Sequence, residues 1–166
     1  PTPVNANGIT IVANGRAPES PIFAIRNGAT GDITPGQTES RNRSVAWRHN
    51  RRGPYMPTPL IYREIVYILH NEGIFAAYDL KDGTEHFIQR IPHKGHGFSA
   101  SPVAADGRIY LPGEDGTILE MEAGKYYRLL RTHEMGEPLM ASPAISANTL
   151  FLRGRDHLFA VGKPSP

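Results

Sequence analysis

The chain has 166 residues, which is enough for one domain with a sizeable buried core. It contains no cysteine, which excludes a disulfide framework and a thiolate metal site, and its formal net charge of +2 does not indicate a nucleic-acid partner. Its 17 glycines and 15 prolines are spread along the chain and no apolar run could form a transmembrane helix, so the pattern favours an all-β protein without a membrane span.

Residues 2–48 form an irregular first unit. Short apolar runs at residues 9–13, 22–26 and 45–48 predict strands, and the last run contains Trp47, the single tryptophan. Residues 28–43 show no apolar periodicity and make a connection far longer than a hairpin needs. We interpret this stretch as an exposed inserted loop, and both a tolerated insertion and a partner-binding loop remain open.

The next unit, residues 56–91, contains four strands with their turns. Glycine after a short polar residue supplies the positive φ that tight hairpin turns require, as at Gly73 and Gly83. Three successive hairpins predict an antiparallel meander. The four apolar runs that define its strands span residues 58–62, 65–70, 74–79 and 86–91.

A Ser/Thr-Pro dipeptide, which we call the anchor, opens each unit. The last three anchors are spaced by 43 and 41 residues, and a further copy stands 56 residues before them. Four strands with a period in the low forties predict a β-propeller. We therefore expect one all-β propeller domain over residues 1–166, with about four four-stranded antiparallel blades at residues 2–48, 56–91, 98–132 and 140–162. The fourth strand of the third blade is predicted at residues 126–132, and the alternating apolar residues of the strands, among them Leu152, Leu158 and Ala160, are expected to pack between adjacent blades. The anchors are Thr2-Pro3, Thr58-Pro59, Ser101-Pro102 and Ser142-Pro143.

Three stretches carry a more specific signal. They are SPVAADGRIYLPGEDGTILEMEAG from Ser101, SPAISANTLFLRGRDHLFAVG from Ser142, and the pattern Ala-x-Asp-x-x-x-Gly from Ala77 to Gly83. These repeats resemble the pyrroloquinoline-quinone-like propeller repeat family and, more loosely, the outer-membrane assembly scaffold lipoproteins. The chain departs from the family at the tryptophan that usually closes the fourth strand. That residue survives only as Trp47, and Phe87 or the region of residues 126–127 stands in elsewhere.

The fourth unit ends after its third strand, which leaves a sheet edge with unpaired backbone groups. A propeller commonly closes when its N-terminal segment supplies the missing strand, but the N-terminal segment here reads as a first strand. We expect the chain to be half of a seven- or eight-bladed ring whose other blades precede it. Two alternatives remain open: two copies closing a ring of eight around a two-fold axis, and four blades closing on themselves.

The connectors between blades and the turns between second and third strands emerge on one face of a propeller. Five of the seven histidines are predicted there, together with several arginines. Such a face could bind an anionic ligand or a peptide through its cations, or a metal through imidazoles, and solvated loops without a ligand are the alternative. The candidate face comprises His49, Arg51, Arg52, His70, His93, Lys94, His96, His133, Glu137 and Arg155.

We predict a non-enzymatic scaffold that binds a protein or a small ligand, with no catalytic residue, cofactor or metal. The rival hypothesis is a domain of a quinoprotein oxidoreductase, for which the resemblance implies pyrroloquinoline quinone and calcium over a tryptophan floor. This chain lacks that group's vicinal cysteines, Trp47 lies at an outer-strand position, and no Glu, Asn and Asp set matches the calcium ligands. No GxSxG, HExxH or Walker motif is present either.

Two expectations concern context. The resemblance implies export, for instance to the periplasm. The open blade edges imply self-association or contact with further blades.

Overall fold

The computed structural model describes residues 1–36, 38–95 and 97–162, and in that part the chain forms fifteen strands and no helix. The strands lie in four antiparallel sheets, each ordered as in the chain, which we call blades 1 to 4. Blade 1 contains β1 (Val4–Ala6), β2 (Ile9–Ala13), β3 (Ile22–Arg26) and β4 (Val45–His49). Blade 2 contains β5 (Leu60–Tyr62), β6 (Ile65–Leu69), β7 (Ile74–Asp79) and β8 (Glu85–Arg90). Blade 3 contains β9 (Val103–Ala105), β10 (Arg108–Pro112), β11 (Thr117–Glu122) and β12 (Leu129–Glu134). Blade 4 contains β13 (Ala144–Ser146), β14 (Thr149–Arg153) and β15 (Leu158–Gly162). None of the described segments is a helix that could cross a membrane.

Every blade begins with the same two-residue hairpin between its first and second strands. Both turn residues have positive φ, which is the geometry of a type I′ turn and matches the right-handed twist of the strands. The hairpin predicted at the start of the second unit is thereby confirmed, and the other three units have the same turn. The turns are Asn7-Gly8, Arg63-Glu64, Asp106-Gly107 and Ala147-Asn148.

The blades pack face to face in chain order around three apolar clusters. The first joins blades 1 and 2 and contains Ile11 and Ile68, and the second joins blades 2 and 3 and contains Tyr67 and Leu119. The third, between blades 3 and 4, is small and centres on Leu152. Among the described residues, no such cluster joins blade 4 to blade 1, and the innermost strands also touch in chain order. The four blades form an open arc.

Most of the strand residues predicted to pack between blades are buried, but two predictions were wrong. Leu158 is 67% exposed, and Ala160 is exposed as well. Both lie on the face of blade 4 that points away from blade 3, where no described residue covers them. The inner-facing Leu152, on the opposite side of the same sheet, is buried as predicted.

Two strand boundaries differ from the prediction for identifiable reasons. The anchors precede the innermost strands instead of belonging to them, because a proline cannot donate to the strand ladder. The fourth strand of blade 3, predicted at residues 126–132, lies at Leu129–Glu134. Residues 123–128 form an excursion that is closed by a 3.0 Å hydrogen bond from the Glu122 amide to the Arg128 carbonyl.

The inserted loop contains no strand in its described residues, as predicted, and Gln37 lies outside the described residues. Asn42 organises its return to β4. Its Nδ2 donates to the Ile33 carbonyl at 3.2 Å, and its Oδ1 accepts from the amides of Ser44 and Val45 at 2.9 and 2.7 Å. One amide side chain thus joins the loop to the start of the strand.

Candidate functional site

The connector between blades 2 and 3 contributes His93 and Lys94 to the predicted face, and both are held by neighbouring turns. The His93 ring lies against Gly73, where a Cβ would be 2.6 Å from its Cδ2, and meets the Phe98 ring edge-on at 6.0 Å. The Lys94 amide donates to Asp115 at 2.8 Å. Both residues therefore tie the connector to the turns that end β6 and β10.

Charge on this part of the face is internally balanced. Lys94 Nζ donates to Glu134 Oε2 at 2.8 Å, and that hydrogen bond raises the pKa of Lys94. Burial by itself raises the pKa of Asp115, but hydrogen bonds from the amides of Lys94 and Thr117 outweigh it and lower the pKa overall. Lysine and carboxylates partner one another here instead of converging on an open cavity.

His70, Arg51 and Arg52 lie around the turn after β6 and the connector after β4. Burial lowers the pKa of His70, the charge of Glu72 opposes that shift, and Arg52 reinforces it. The Arg52 guanidinium is 3.8 Å from Glu85, while Arg51 has a left-handed φ of 57° and is exposed. Burial thus favours the neutral imidazole of His70, and Arg52 is the cation that acts on it.

His49 is the last residue of β4 and was wrongly predicted in a connector. Its Nε2 lies 2.7 Å from the carbonyl oxygen of Gly83 in blade 2. Its ring centroid is 5.4 Å from that of Trp47 and 4.8 Å from that of Tyr78. The side chain belongs to the contact between blades 1 and 2, because β4 extends one residue beyond the predicted strand.

Glu137 is nearly buried and holds the turn between β14 and β15. Its Oε2 accepts from the Asp156 amide at 2.7 Å, and its Oε1 accepts from the His157 amide at 3.0 Å. Arg155 in the same turn is exposed and pairs with Asp156 at 3.0 Å. The structure brings Glu137 and Arg155 to one turn, where the carboxylate has a structural role.

The predicted spacing of His93 and His96 cannot be compared with a geometry, because His96 lies outside the described residues. Within residues 1–36, 38–95 and 97–162, no three His, Cys, Asp or Glu side chains come together as a metal site.

His133 was also predicted in a connector, but it lies within β12 because that strand extends to Glu134. Its Nε2 is 3.0 Å from Oε2 of Glu120, and Arg108 binds the other carboxylate oxygen. The Glu120 side chain is 3% exposed. Burial alone raises the pKa of Glu120, but the hydrogen bonds from His133 and Arg108 outweigh it and lower the pKa. We call Arg108, Glu120, Arg131 and His133 the blade-3 polar cluster.

Sequence reasoning missed this cluster, although a signal was present. The strand ladders pair Glu120 with Arg131, at the positions where blade 2 pairs Ala77 with Phe87 and blade 1 pairs Ala24 with Trp47. An apolar pair is thus replaced by two charges only in blade 3. The alanine-to-glutamate change is visible when the third strands are aligned.

The polar cluster lies on the face of blade 3 that is turned toward blade 4, because Glu120 pairs with Tyr110 and Tyr110 packs into the apolar cluster between these two blades. β15 pairs with β14 alone in the described part of the chain, and its hairpin is closed by a 2.9 Å bond from the Gly154 amide to the His157 carbonyl. Because backbone bonds alternate along an antiparallel ladder, the amides and carbonyls of Leu158 and Ala160 point to the unpaired edge. The blade-4 edge therefore offers a row of backbone donors and acceptors.

The inserted loop borders two clefts that the sequence did not predict. One of about 770 Å³ lies between this loop, the end of β3 and the turn after β7, and its charged lining comprises Arg26, Arg41, Lys81 and Asp82. Arg26 already donates to the carbonyls of Asn42 and Arg43. The second cleft, of about 400 Å³, is formed within the loop itself.

Comparison with known proteins identifies the fold. No protein-family model and no curated protein matches the chain. The crystal structure of BamB from Moraxella catarrhalis is similar with a TM-score of 0.66 and 15% identity, over 94% of this chain and 43% of that one. The computationally designed Ika4 protein is similar with a TM-score of 0.67 and 13% identity, over 96% of this chain and 88% of Ika4.

An enzyme shares the same architecture. The quinohemoprotein alcohol dehydrogenase ADHIIG from Pseudomonas putida HK5 is similar with a TM-score of 0.62 and 13% identity, over 91% of this chain and 27% of the enzyme. These likenesses confirm the predicted all-β propeller fold. The chain spans less than half the length of BamB.

Proposed function

We propose that the chain is a non-enzymatic interaction scaffold that binds an extended peptide segment at the blade-4 edge. The observation that carries the proposal is the unpaired strand edge of blade 4, and the neighbouring blade 3 turns a cluster of buried and half-exposed charges toward blade 4. Strand addition to an open edge is a common mode of peptide recognition, in which the backbone supplies affinity and side chains supply specificity.

The charges around the edge indicate the chemistry of the segment. Arg108, Arg131 and His133 surround the single carboxylate of Glu120, so the cluster has an excess of cationic groups. An added strand would lie against β12, whose side chains are exposed for most of its length. A segment that alternates apolar residues with Asp or Glu therefore fits this surface.

The loop face is the weaker candidate surface. Lys94, Glu137 and His49 are each bound to neighbouring turns or blades. Groups that already have partners would have to give them up to bind a ligand.

A backbone test distinguishes strand addition from other binding. A library of random twelve-residue peptides would be selected on the wild-type chain, and the enriched peptides would be tested on Ala160→Pro. Proline removes the edge amide, and that amide makes no bond to β14, so the variant keeps its own ladder. Ala160→Ser is the matched control, because it keeps the amide.

The proposal expects enriched peptides with alternating apolar and acidic residues and slowed hydrogen exchange at Leu158 and Ala160. It expects Ala160→Pro to lose at least tenfold in affinity and Ala160→Ser to bind like wild type. Equal binding by the proline variant, or protection confined to the loop face, would refute strand addition.

The second candidate function is a quinoprotein oxidoreductase domain, which the likeness to an alcohol dehydrogenase favours. Among the described residues, no three His, Cys, Asp or Glu side chains come together. Titration with pyrroloquinoline quinone and Ca²⁺ separates the candidates. Stoichiometric binding with a shifted quinone absorbance would favour the enzyme, and no binding would favour the scaffold. An exported location rests on the same likeness of fold.

A further inference from the structure

The anchors form a hydrogen-bonded ladder that runs from blade to blade. The Thr2 amide donates to Oγ1 of Thr58 at 3.1 Å, and the Thr58 amide donates to Oγ of Ser101 at 2.9 Å. The Ser101 amide donates to Oγ of Ser142, again at 2.9 Å. Each anchor hydroxyl thus accepts from the anchor amide of the preceding blade, which explains why Ser or Thr recurs before the proline.

The ladder ends in one donor and one acceptor. Among the described residues, the Ser142 amide has no acceptor and the Thr2 hydroxyl has no donor. The two ends are therefore complementary: the first anchor offers the hydroxyl that the last anchor amide would need. A further step of the same ladder would join the end of one arc to the beginning of another.

The outward face of blade 4, which points away from blade 3, carries residues of the kind that are buried between the other blades. Phe151 and Ala160 occupy the ladder positions that Tyr67 and Ala77 occupy in blade 2. Tyr67 and Ala77 are fully buried against blade 3, whereas Ala160 is exposed. The last blade thus presents an apolar face with nothing from the described chain upon it.

The outward face of blade 1 has the corresponding pattern. Its Val12 and Ile25 occupy the positions of Ile68 and Tyr78 in blade 2, which are fully buried against blade 1. Phe23 lies beside them in the ladder, opposite Val12. Both ends of the arc therefore have surfaces built like the interior junctions.

We infer that these two end faces join two copies of the chain into one closed ring. The arc does not close on itself, and it matches 43% of the BamB chain, so two arcs approximate one complete propeller. A two-fold axis would create two identical junctions, each with the blade-4 face of one copy on the blade-1 face of the other. At each junction the Ser142 amide of one copy donates to the Thr2 hydroxyl of the other. The inference uses the side-chain face of blade 4, whereas the peptide proposal uses the backbone edge of the same blade.

Mass in solution gives the first test. Light scattering of the wild-type chain is expected to give twice 18.3 kDa, independent of further increases in concentration. Phe151→Glu places a charge on the blade-4 face and is expected to give 18.3 kDa. Tyr126→Glu is the matched control, because Tyr126 is 85% exposed on a turn of blade 3, and it should remain dimeric.

Disulfide trapping locates the junction, since the natural chain has no cysteine. Thr58→Cys with Ser101→Cys tests an anchor pair in contact within one chain and should form an intrachain disulfide. Thr2→Cys with Ser142→Cys should form a covalent dimer under the same oxidation.

Three results would overturn the inference. If the wild-type chain is a monomer, the end faces are contact surfaces for other blades of a longer polypeptide. If it forms an open polymer, a closed ring is excluded. A dimer in which the intrachain pair oxidises while the Thr2 and Ser142 pair does not would place the contact elsewhere.

Discussion

The carboxylate of Glu137 fills the space that a side chain on Gly154 would need. A Cβ built on Gly154 overlaps Oε1 of Glu137, and the same carboxylate accepts the amides of Asp156 and His157. The connector between blades 3 and 4 is thereby fastened to the last hairpin. Because the apolar cluster between these blades is small, a polar contact has an unusually large share in holding blade 4.

Gly154→Ala should destabilise the chain by about 1–3 kcal/mol, because the displaced carboxylate leaves two amides without their acceptor. Urea unfolding would measure the loss. Gly124→Ala is the control, since a Cβ at Gly124 meets nothing within 4 Å, and it should change stability by less than about 0.5 kcal/mol. Equal effects of the two substitutions would contradict the role of Glu137.

Gly83→Ala should loosen the contact between blades 1 and 2. Gly83 has a φ of +75°, and its Cβ would lie 2.7 Å from Cδ2 of Trp47, whose Nε1 donates to the Leu80 carbonyl at 2.8 Å. Gly28→Ala is the control that measures backbone strain alone, because Gly28 has a φ of +79° and open space around it. We expect Gly83→Ala to be about 1–2 kcal/mol more destabilising than Gly28→Ala. A red shift of the single tryptophan's fluorescence should accompany it, and an unchanged spectrum would argue against the contact.

The fold was predictable because local and repeated signals agree. The anchors, the two-residue turns and the alternating apolar residues each mark the same units, so an error at one strand end does not propagate. The strand of blade 3 was misplaced because residues 123–128 leave the ladder, and no periodic pattern records such an excursion. Leu158 was misjudged because alternation shows which residues share a face but does not show whether that face has a neighbour.

The candidate site was less predictable for a different reason. Because His93 and Lys94 lie in one connector, the sequence places both at the same end of the propeller. Their packing and hydrogen-bond partners, however, come from turns of other blades. Those contacts depend on backbone positions that only packing determines. Glu120 could have been singled out from the alignment of third strands, whereas its pairing with His133 depends on the true end of β12.

Tyr78→Phe should stabilise the chain or leave it unchanged. The Tyr78 hydroxyl is buried between blades 1 and 2 and finds no hydrogen-bond partner in the described part of the structure. Burial also raises the pKa of Tyr78 to about 12, as expected for a phenol removed from water. Removing the hydroxyl should raise the free energy of unfolding by up to about 1 kcal/mol, measured by thermal and urea unfolding. A loss of more than about 1 kcal/mol would show that the hydroxyl is bonded.

Glu120→Gln should remove part of the acid sensitivity of the fold. The pKa of Glu120 is lowered in the folded chain, so its stabilisation is complete above the ordinary glutamate value of 4.5 and is lost as pH falls through the lower folded value. At pH 7 the variant should lose about 1–2 kcal/mol, a modest figure because Arg108 and His133 are 44% and 43% exposed. The difference in the free energy of unfolding between the wild type and the variant should then become smaller below pH 4.5. Glu122→Gln is the control, since Glu122 pairs with Arg128 at an exposed site and should contribute less than about 0.5 kcal/mol. Melting curves from pH 3 to 7 test both variants, and a constant gap for Glu120→Gln would contradict the charge pairing in the blade-3 polar cluster.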